Sequence, residues 1–152
     1  AASREDGRQV GMPPAIEPLH PMQAAERACI NTLEQALDLC DELDPGQTGM
    51  LGVAADLYHI WWDPKLQSQI ERAGAKRLLA SHDGDWLAPT RDLLNDRGMM
   101  GDGLIELKKC RQWMEHAGYQ GFAEVEIFSE HWWSQPGEVV LDTCIARHKT
   151  VV

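Results

Sequence analysis

Apolar residues recur at every third or fourth position in several parts of the chain, a pattern that is typical of amphipathic helices. The clearest case runs from Ala24 to Leu43 and is followed by Asp44-Pro45-Gly46, a sequence that stops helices. Asp63-Pro64 predicts an N-cap followed by proline at the first helical position. Gly74 and Gly118 predict the ends of two later helices. Helices are therefore expected at about 24–43, 64–74, 107–118 and 137–148.

Four short apolar runs alternate with these helices and have the length of strands. They are PAIEP at 14–18, MLGVAAD at 50–56, RLLASH at 77–82 and FAEVEIF at 122–128. Strands that alternate with helices of this length indicate crossover connections and a parallel sheet. The sequence therefore predicts an α/β fold, a parallel (β/α)4 unit. A complete eight-unit barrel is not expected, because that fold needs roughly 200 residues or more and the chain has 152.

Each predicted strand ends on a residue type that binds metal ions. These residues are Glu17, Asp56, His82 and Glu126. In parallel α/β folds, ligands bind beyond the carboxyl ends of the strands, so we expect the four side chains to meet at one edge. Three carboxylates and one imidazole suit a hard divalent cation better than a structural zinc. Mn²⁺ is the favoured ion, with Mg²⁺ and Co²⁺ as alternatives.

The charge and hydropathy of the chain disfavour two classes of partner. It has 24 acidic and 14 basic residues, which gives a formal net charge of −10. Nucleic-acid binding is disfavoured because phosphate contacts need a basic face. No run approaches the roughly 18 apolar residues of a membrane span, so no membrane partner is expected. The expected location is the cytoplasm.

The N-terminus and the cysteines give further expectations. Residues 1–12 are expected to form a flexible lead-in to one domain over residues 13–150. This segment lacks the apolar core of a signal peptide, and the chain does not begin with Met, so it is expected to be processed or a fragment. The four cysteines form no CxxC pair and are expected to be buried thiols in a reducing cytosol, with a disulfide as the alternative: Cys29, Cys40, Cys110 and Cys144.

Five short motifs occur in an order and spacing that is specific when they are taken together. They are IEPLHP at 16–21, DLYH at 56–59, SHDGDW at 81–86, GDG at 101–103 and GYQGFAEVEIFSE at 118–130. They resemble the sugar-phosphate isomerase/epimerase family, the xylose-isomerase-like barrel group that includes ketose 3-epimerases, hydroxypyruvate isomerases and inosose dehydratases. The resemblance covers residues 14 to about 148. It implies a half-barrel that corresponds to strands five to eight of a TIM barrel.

The resemblance also implies roles for individual residues. Glu17, Asp56, His82 and Glu126 match the family's metal ligands. Glu17 and Glu126 match the pair of carboxylates that remove and return a proton. His59, which closes the DLYH motif, matches a substrate-contacting histidine, and Arg97 is the best match to a substrate-anchoring arginine.

Several aromatic and loop residues allow two interpretations. Trp61 and Trp86 are candidates for stacking on a sugar, because ring faces pack on C–H surfaces. A hydrophobic plug at the barrel mouth is the alternative. Asp83 and Asp85 are candidates to orient His82, with turn formation around Gly84 as the alternative.

These observations lead to a ranked set of functional hypotheses. The first is a divalent-metal-dependent isomerase or epimerase of a small sugar, sugar phosphate or hydroxy-keto acid that acts through an enediolate. The alternatives are an inosose-dehydratase-like lyase and a catalytically incomplete half-barrel that binds metal or associates with a partner. An open sheet leaves two strand edges and an apolar face uncovered, so a homodimer or larger assembly is expected. A nuclease is disfavoured by the negative charge and the single strand-ending histidine.

Overall fold

Four parallel strands form one sheet in a computed structural model of the chain, which describes residues 6–7 and 9–152. The strands are β1 (Ala15–Ile16), β2 (Gly52–Asp56), β3 (Leu78–Asp83) and β4 (Ala123–Val125). They lie in the sheet in the same order as in the sequence, and each neighbouring pair is parallel. The predicted α/β class with a parallel four-stranded sheet, part of a TIM barrel, is confirmed.

Helices connect the strands and follow the last one. They are α1 (Leu33–Leu43), α2 (Leu57–Ile60), α3 (Leu66–Arg77), α4 (Leu107–His116), α5 (Glu130–Trp133) and α6 (Gly137–Val151), with a 3₁₀ turn at Pro21–Gln23. The short helices α2 and α5 were not predicted. Helix α2 directly follows β2, and α5 follows the short loop after β4. Each is a single turn, which is too short to show helical periodicity in the sequence.

The predicted helix from Ala24 to Leu43 is wrong in its first part. Helix α1 begins only at Leu33, because Thr32 and Gln35 form a capping box that fixes the N-terminus there. The Thr32 side chain accepts a hydrogen bond from the Gln35 backbone N–H, and the Gln35 side chain accepts one from the Thr32 backbone N–H. The apolar spacing at Ala25 and Cys29 therefore does not belong to a helix, and both residues are exposed.

The predicted cap at Asp63-Pro64 is also displaced. Helix α3 begins at Leu66 with Lys65 at the N-cap position, and the Asp63 carboxylate, two residues earlier, accepts a hydrogen bond from the Lys65 backbone N–H at 2.8 Å. The predicted end at Gly74 is a kink instead, since this residue has a φ of 56° and α3 continues beyond it to Arg77. The predicted stop at Gly118 holds, because α4 ends two residues earlier and Gly118 has a φ of 90°.

The core lies between the sheet and the first three long helices. Helices α1, α3 and α4 bury apolar side chains against the outer face of β2 and β3, and Met99 and Met100 fill the space between them. Cys40 and Cys110 belong to this core, but Cys29 is exposed and Cys144 is only half-buried. The expectation of four buried thiols is therefore wrong for these two. All four cysteines are free thiols.

The last helix differs from the other long helices, α1, α3 and α4, because none of its residues is buried. It packs beside β4, an edge strand of the sheet, and leaves a cavity of about 510 Å³ lined by apolar side chains of both elements. Among the described residues, no helix combines the length and apolar character that a membrane crossing requires.

Candidate metal centre

Four side chains meet at the carboxyl edge of the sheet. Glu17 directly follows β1, Asp56 ends β2, His82 is the penultimate residue of β3, and Glu126 directly follows β4. Side chains alternate between the two faces of a strand, and Asp56 pairs in register with His82, so both project from the face opposite the helices. One ligand atom from each of the four residues lies within 4.8 Å of the others. The sequence thus located all four members of this cluster.

The imidazole of His82 lies at the centre of the cluster. Its Nδ1 is 3.4 Å from Glu17 Oε1 and 3.4 Å from Glu126 Oε2. This buried atom has no hydrogen bond of normal geometry within the described part of the chain. The Glu17 carboxylate, followed by the charges of Asp56 and Glu126, raises the pKa of His82 to about 9 although burial opposes this. An unsatisfied imidazole nitrogen that faces carboxylates is a donor set that fits a divalent cation.

Asp56 is the most deeply buried member of the cluster. Its Oδ1 accepts a hydrogen bond from the Tyr58 backbone N–H at 2.9 Å, which fixes the carboxylate at the start of α2. Its Oδ2 accepts a hydrogen bond from Arg97 Nη1 at 2.8 Å. Burial raises the pKa of Asp56 to about 7, and the charge of Arg97 opposes that rise.

Arg97 links two of the carboxylates and is itself buried, with 5% of its side chain exposed. Besides Asp56, its Nη1 contacts Glu126 Oε2 and the Glu126 carbonyl oxygen, both at 3.2 Å. Its guanidinium lies 4.4 Å from the centre of the Tyr58 ring and 5.0 Å from that of Phe128. Arg97 was expected near the substrate, and its contacts place it against the candidate ligands themselves.

His59 occupies the inner wall beside Arg97. Its Nδ1 accepts a hydrogen bond from the His20 backbone N–H at 3.2 Å, while its Nε2 lies 3.1 Å from Arg97 Nη2 and 3.6 Å from Asp56 Oδ2. Burial, followed by the charge of Arg97, lowers the pKa of His59 to about 3. The ring is therefore neutral at physiological pH.

A cavity of about 460 Å³ opens in front of the cluster. Glu17, His59, Arg97 and Glu126 line it, together with aromatic and apolar side chains that include Tyr58, Leu19 and Phe128. This volume lies in the range of small-molecule sites. Four of the residues that the sequence marked for catalysis or substrate contact therefore share one cavity.

The two tryptophans that were marked for sugar stacking lie beside this cavity rather than in its lining. Trp86 stacks on His20 at 4.6 Å and on Tyr58 at 4.9 Å between ring centres. Trp61 is 5.9 Å from Trp86 and lines a separate cavity of about 430 Å³. The substrate role of Trp61 and Trp86 stays a prediction.

Asp85 organises the long loop that carries Arg97. Its buried carboxylate accepts four backbone hydrogen bonds of 2.8–3.0 Å, from the N–H groups of Trp86, Gly101, Gly103 and Ile105. Its backbone also pairs with Gly98, next to Arg97. These contacts favour the turn interpretation of Asp85 over a role in orienting His82.

Sequence analysis missed three residues that position the site. Tyr58 and Phe128 hold the Arg97 guanidinium between their rings, and the His20 backbone fixes His59. Tyr58 lies inside the DLYH motif and could have been noticed there. His20 and Phe128 also lie inside motifs, IEPLHP and GYQGFAEVEIFSE, but a motif does not show which distant residue each of them contacts.

Comparison with known proteins agrees with this geometry. A family model described as xylose isomerase-like TIM barrel matches residues 5–144. A protein from Sinorhizobium meliloti, SMc04130, has a solved structure that is 56% identical, with a TM-score of 0.89 over 95% of this chain and 52% of that one. The comparison with curated proteins gave no match.

Two more distant solved structures share the fold. The IolI protein, solved with a bound zinc atom, is 21% identical, with a TM-score of 0.79 over 97% of this chain and 51% of its own. The 3-keto-D-glucoside 4-epimerase of E. coli is 18% identical, with a TM-score of 0.72 over 97% of this chain and 50% of its own. The chain thus spans about half the length of each of these three solved structures. With its parallel sheet, its strand-end cluster and this family match, the chain belongs to the xylose isomerase-like TIM barrel family.

Proposed function

We propose that the chain forms the metal-binding half of an isomerase or epimerase that acts on a small sugar, sugar phosphate or hydroxy-keto acid through an enediolate. The observation that carries this proposal is the convergence of Glu17, Asp56, His82 and Glu126 to within 4.8 Å. Family membership supports the reaction class, because the structural relatives include an epimerase and a protein solved with zinc.

The four side chains would hold one divalent cation. Three carboxylates and one imidazole favour Mn²⁺, with Mg²⁺ or Co²⁺ as alternatives. When bound, such an ion polarises the carbonyl group of the substrate and so stabilises the negative charge that develops on its oxygen. The protein holds the ligands in place in advance, since Tyr58 and Arg97 fix both oxygens of Asp56.

Glu17 and Glu126 would carry the proton transfer. Both line the cavity, both are about one-third exposed, and they approach His82 Nδ1 from β1 and β4, the opposite edges of the sheet. One carboxylate removes the proton from the carbon next to the carbonyl, and the other, in its acid form, returns a proton to the enediolate. Return to the opposite face of the same carbon gives an epimer. Return to the neighbouring carbon, together with transfer of the hydroxyl proton to the former carbonyl oxygen, gives an isomer.

His59 and Arg97 would contact the substrate from the inner wall of the cavity. The neutral His59 ring offers its Nε2 and Arg97 offers guanidinium N–H groups, both suited to the oxygens of a polyhydroxylated molecule. Trp61 and Trp86 would contact the substrate only at the edge of the cavity. Trp86 stacks there on His20 and Tyr58, and Trp61 lies beside Trp86.

The proposal is tested by solvent exchange at the substrate carbon. The protein, supplied with Mn²⁺, is incubated in D₂O with a panel of small ketoses, their phosphates and hydroxy-keto acids, and deuterium incorporation is followed by mass spectrometry. Glu126→Gln should abolish exchange while the fold is retained. Glu130→Gln, a neighbouring exposed carboxylate in α5, is the matched control and should leave exchange unchanged.

The products separate the related reactions. An epimer or isomer supports the proposal, whereas loss of water identifies the lyase alternative. Exchange at a near-normal rate in Glu126→Gln would refute the assignment of the base.

We further propose that a second copy of the chain covers the apolar face at β4 and α6, so that the protein is a homodimer or larger assembly. Large apolar side chains that line the cavity at this face are exposed to solvent: Trp133 (58% exposed), Leu141 (60%) and Ile145 (45%). An unpaired edge strand beside such a patch favours association. The free thiols are in keeping with the cytoplasm, which we propose as its location.

Light scattering tests the association. The protein at micromolar concentration should exceed the mass of one chain, and Leu141→Glu should lower that mass, whereas Glu138→Gln on an exposed side of the same helix should not. A monodisperse monomer would refute the second-copy proposal and leave the metal site unaffected.

A further inference from the structure

We propose that Arg97 is an internal cation that competes with the divalent ion for Asp56 and Glu126 and thereby sets the affinity of the centre. The inference rests on the proposed metal site and concerns its regulation. It assigns to Arg97 a role in metal binding that is separate from any contact with substrate.

The first support is that Arg97 uses the same oxygens that the cation needs. Its Nη1 lies 2.8 Å from Asp56 Oδ2 and 3.2 Å from Glu126 Oε2. Two of the four candidate ligands therefore already share one positive charge. A cation that binds the same carboxylates at the roughly 2.0–2.6 Å typical of oxygen ligands must share them with the guanidinium or displace it, and like charges at this separation repel.

The second support is that Arg97 cannot easily move aside. Its side chain is 5% exposed and lies between the rings of Tyr58 and Phe128. Its backbone N–H donates to the Phe128 carbonyl oxygen at 2.9 Å, and the adjacent Gly98 pairs with Asp85. Because these contacts restrain the arginine, a cation that approaches Asp56 and Glu126 meets its positive charge at the outset.

The third support is an unfavourable contact at His59, on the other side of the guanidinium. The His20 backbone N–H lies 3.2 Å from His59 Nδ1, and Arg97 Nη2 lies 3.1 Å from His59 Nε2. An imidazole ring offers at most one acceptor nitrogen, so it cannot accept hydrogen bonds from both of these donors. One of the two contacts therefore sets a donor against a donor, whichever nitrogen of the ring carries the proton.

One consequence concerns the order of events. When a divalent cation neutralises Asp56 and Glu126, the attraction that holds Arg97 against His59 weakens. The guanidinium N–H groups then become available to the cavity of about 460 Å³ that Arg97 lines. Metal binding would thus come first and would favour the binding of an anionic or hydroxyl group of the substrate by Arg97.

The test is a titration of Mn²⁺ into chelator-stripped protein, with free Mn²⁺ followed by electron paramagnetic resonance. Arg97→Gln removes the charge and keeps an amide donor, and should bind Mn²⁺ at least about tenfold more tightly than the wild type. Arg97→Lys retains the positive charge and should remain within about threefold. Circular dichroism verifies that both variants are folded. Equal or weaker binding by folded Arg97→Gln would overturn the proposal.

A second measurement uses the unmodified chain in case Arg97→Gln does not fold. Mg²⁺ is titrated while the guanidinium Nε–H resonances are followed by NMR, with that of Arg97 assigned from its loss in Arg97→Lys. The Arg97 signal should shift and broaden as Mg²⁺ binds. The signal of Arg77, a buried arginine paired with Asp44 at the amino ends of β2 and β3, opposite the candidate ligands, is the internal control and should not move.

The outcomes distinguish this inference from the proposed function. Equal Mn²⁺ affinities in wild type and Arg97→Gln, or an Arg97 resonance unmoved at saturating Mg²⁺, would overturn the role of Arg97 and leave the metal site standing. Failure of both proteins to bind any divalent ion would overturn both. If Arg97→Gln binds Mn²⁺ more tightly than the wild type but the wild type shows no isomerase or epimerase activity, only the proposed reaction class is overturned.

Discussion

Asp85→Asn should destabilise the protein strongly, because one buried carboxylate supports most of the loop between β3 and α4. The substitution replaces one acceptor oxygen with an NH₂ group at nearly constant volume. One Asp85 oxygen accepts from Gly101 and Gly103, and the other accepts from Trp86 and Ile105. Either orientation of the asparagine therefore places its NH₂ group against two backbone N–H donors.

The magnitude follows from those two lost bonds. A buried donor left without its partner costs roughly 1–3 kcal/mol, so two of them cost about 2–6 kcal/mol. Typical domains have about 5–15 kcal/mol of total stability. We therefore expect Asp85→Asn to lose a large share of the free energy of unfolding, and the loop that carries Arg97 to be the first part to open.

Urea denaturation followed by circular dichroism measures the change, with hydrogen exchange to locate it. Asp102→Asn is the matched control in the same loop. Its carboxylate pairs with Arg147 at 2.8 Å, but both side chains are about one-third exposed, and such surface pairs contribute roughly 0–1 kcal/mol. If Asp85→Asn costs no more than Asp102→Asn, the reasoning about the buried carboxylate is wrong.

Three further predictions follow from other parts of the structure. Gly103→Ala should lower the melting temperature sharply, because a Cβ there would overlap the Trp86 carbonyl oxygen. Gly137→Ala, with open space around the added Cβ, should leave the melting temperature nearly unchanged, and equal changes in the two variants would contradict this. Burial raises the pKa of Asp44, but hydrogen bonds from Thr48 and Arg77 outweigh it and leave that pKa below its usual value. Asp44 therefore stabilises the fold above its ordinary pKa of about 4 and loses this contribution as the pH falls through its lower folded-state pKa. The stability of Asp44→Asn should therefore depend less on pH in the acid range. The same pH dependence in the variant and the wild type would count against the Asp44–Arg77 pair. Cys29 is exposed and should react rapidly with a thiol reagent, whereas burial raises the pKa of Cys110 to about 12 and should protect it until unfolding, as peptide mass spectrometry would show.

Local patterns in the sequence were sufficient to locate most strands and the four candidate ligands. The strands are short apolar runs, and parallel order requires each to deliver its last residue to the same edge, so Glu17, Asp56, His82 and Glu126 could be grouped without coordinates. Periodicity was misleading only where another local signal competed. At residues 24–32 the apolar spacing continued a helical pattern, but the capping box at Thr32 starts α1 at Leu33, nine residues later than predicted.

The amino-acid sequence by itself thus determined the α/β class, the order of the strands and the four side chains at their carboxyl ends, because each depends on neighbours in the chain. Only the tertiary structure decided that Arg97 binds Asp56 and Glu126, that His20 fixes His59 and that Asp85 ties the long loop together. These contacts join residues that are 16 to 41 positions apart. The partners in these contacts are selected by burial, because each buried polar group needs a hydrogen bond. That requirement depends on distance in the folded structure, so it produces no periodic pattern in the sequence.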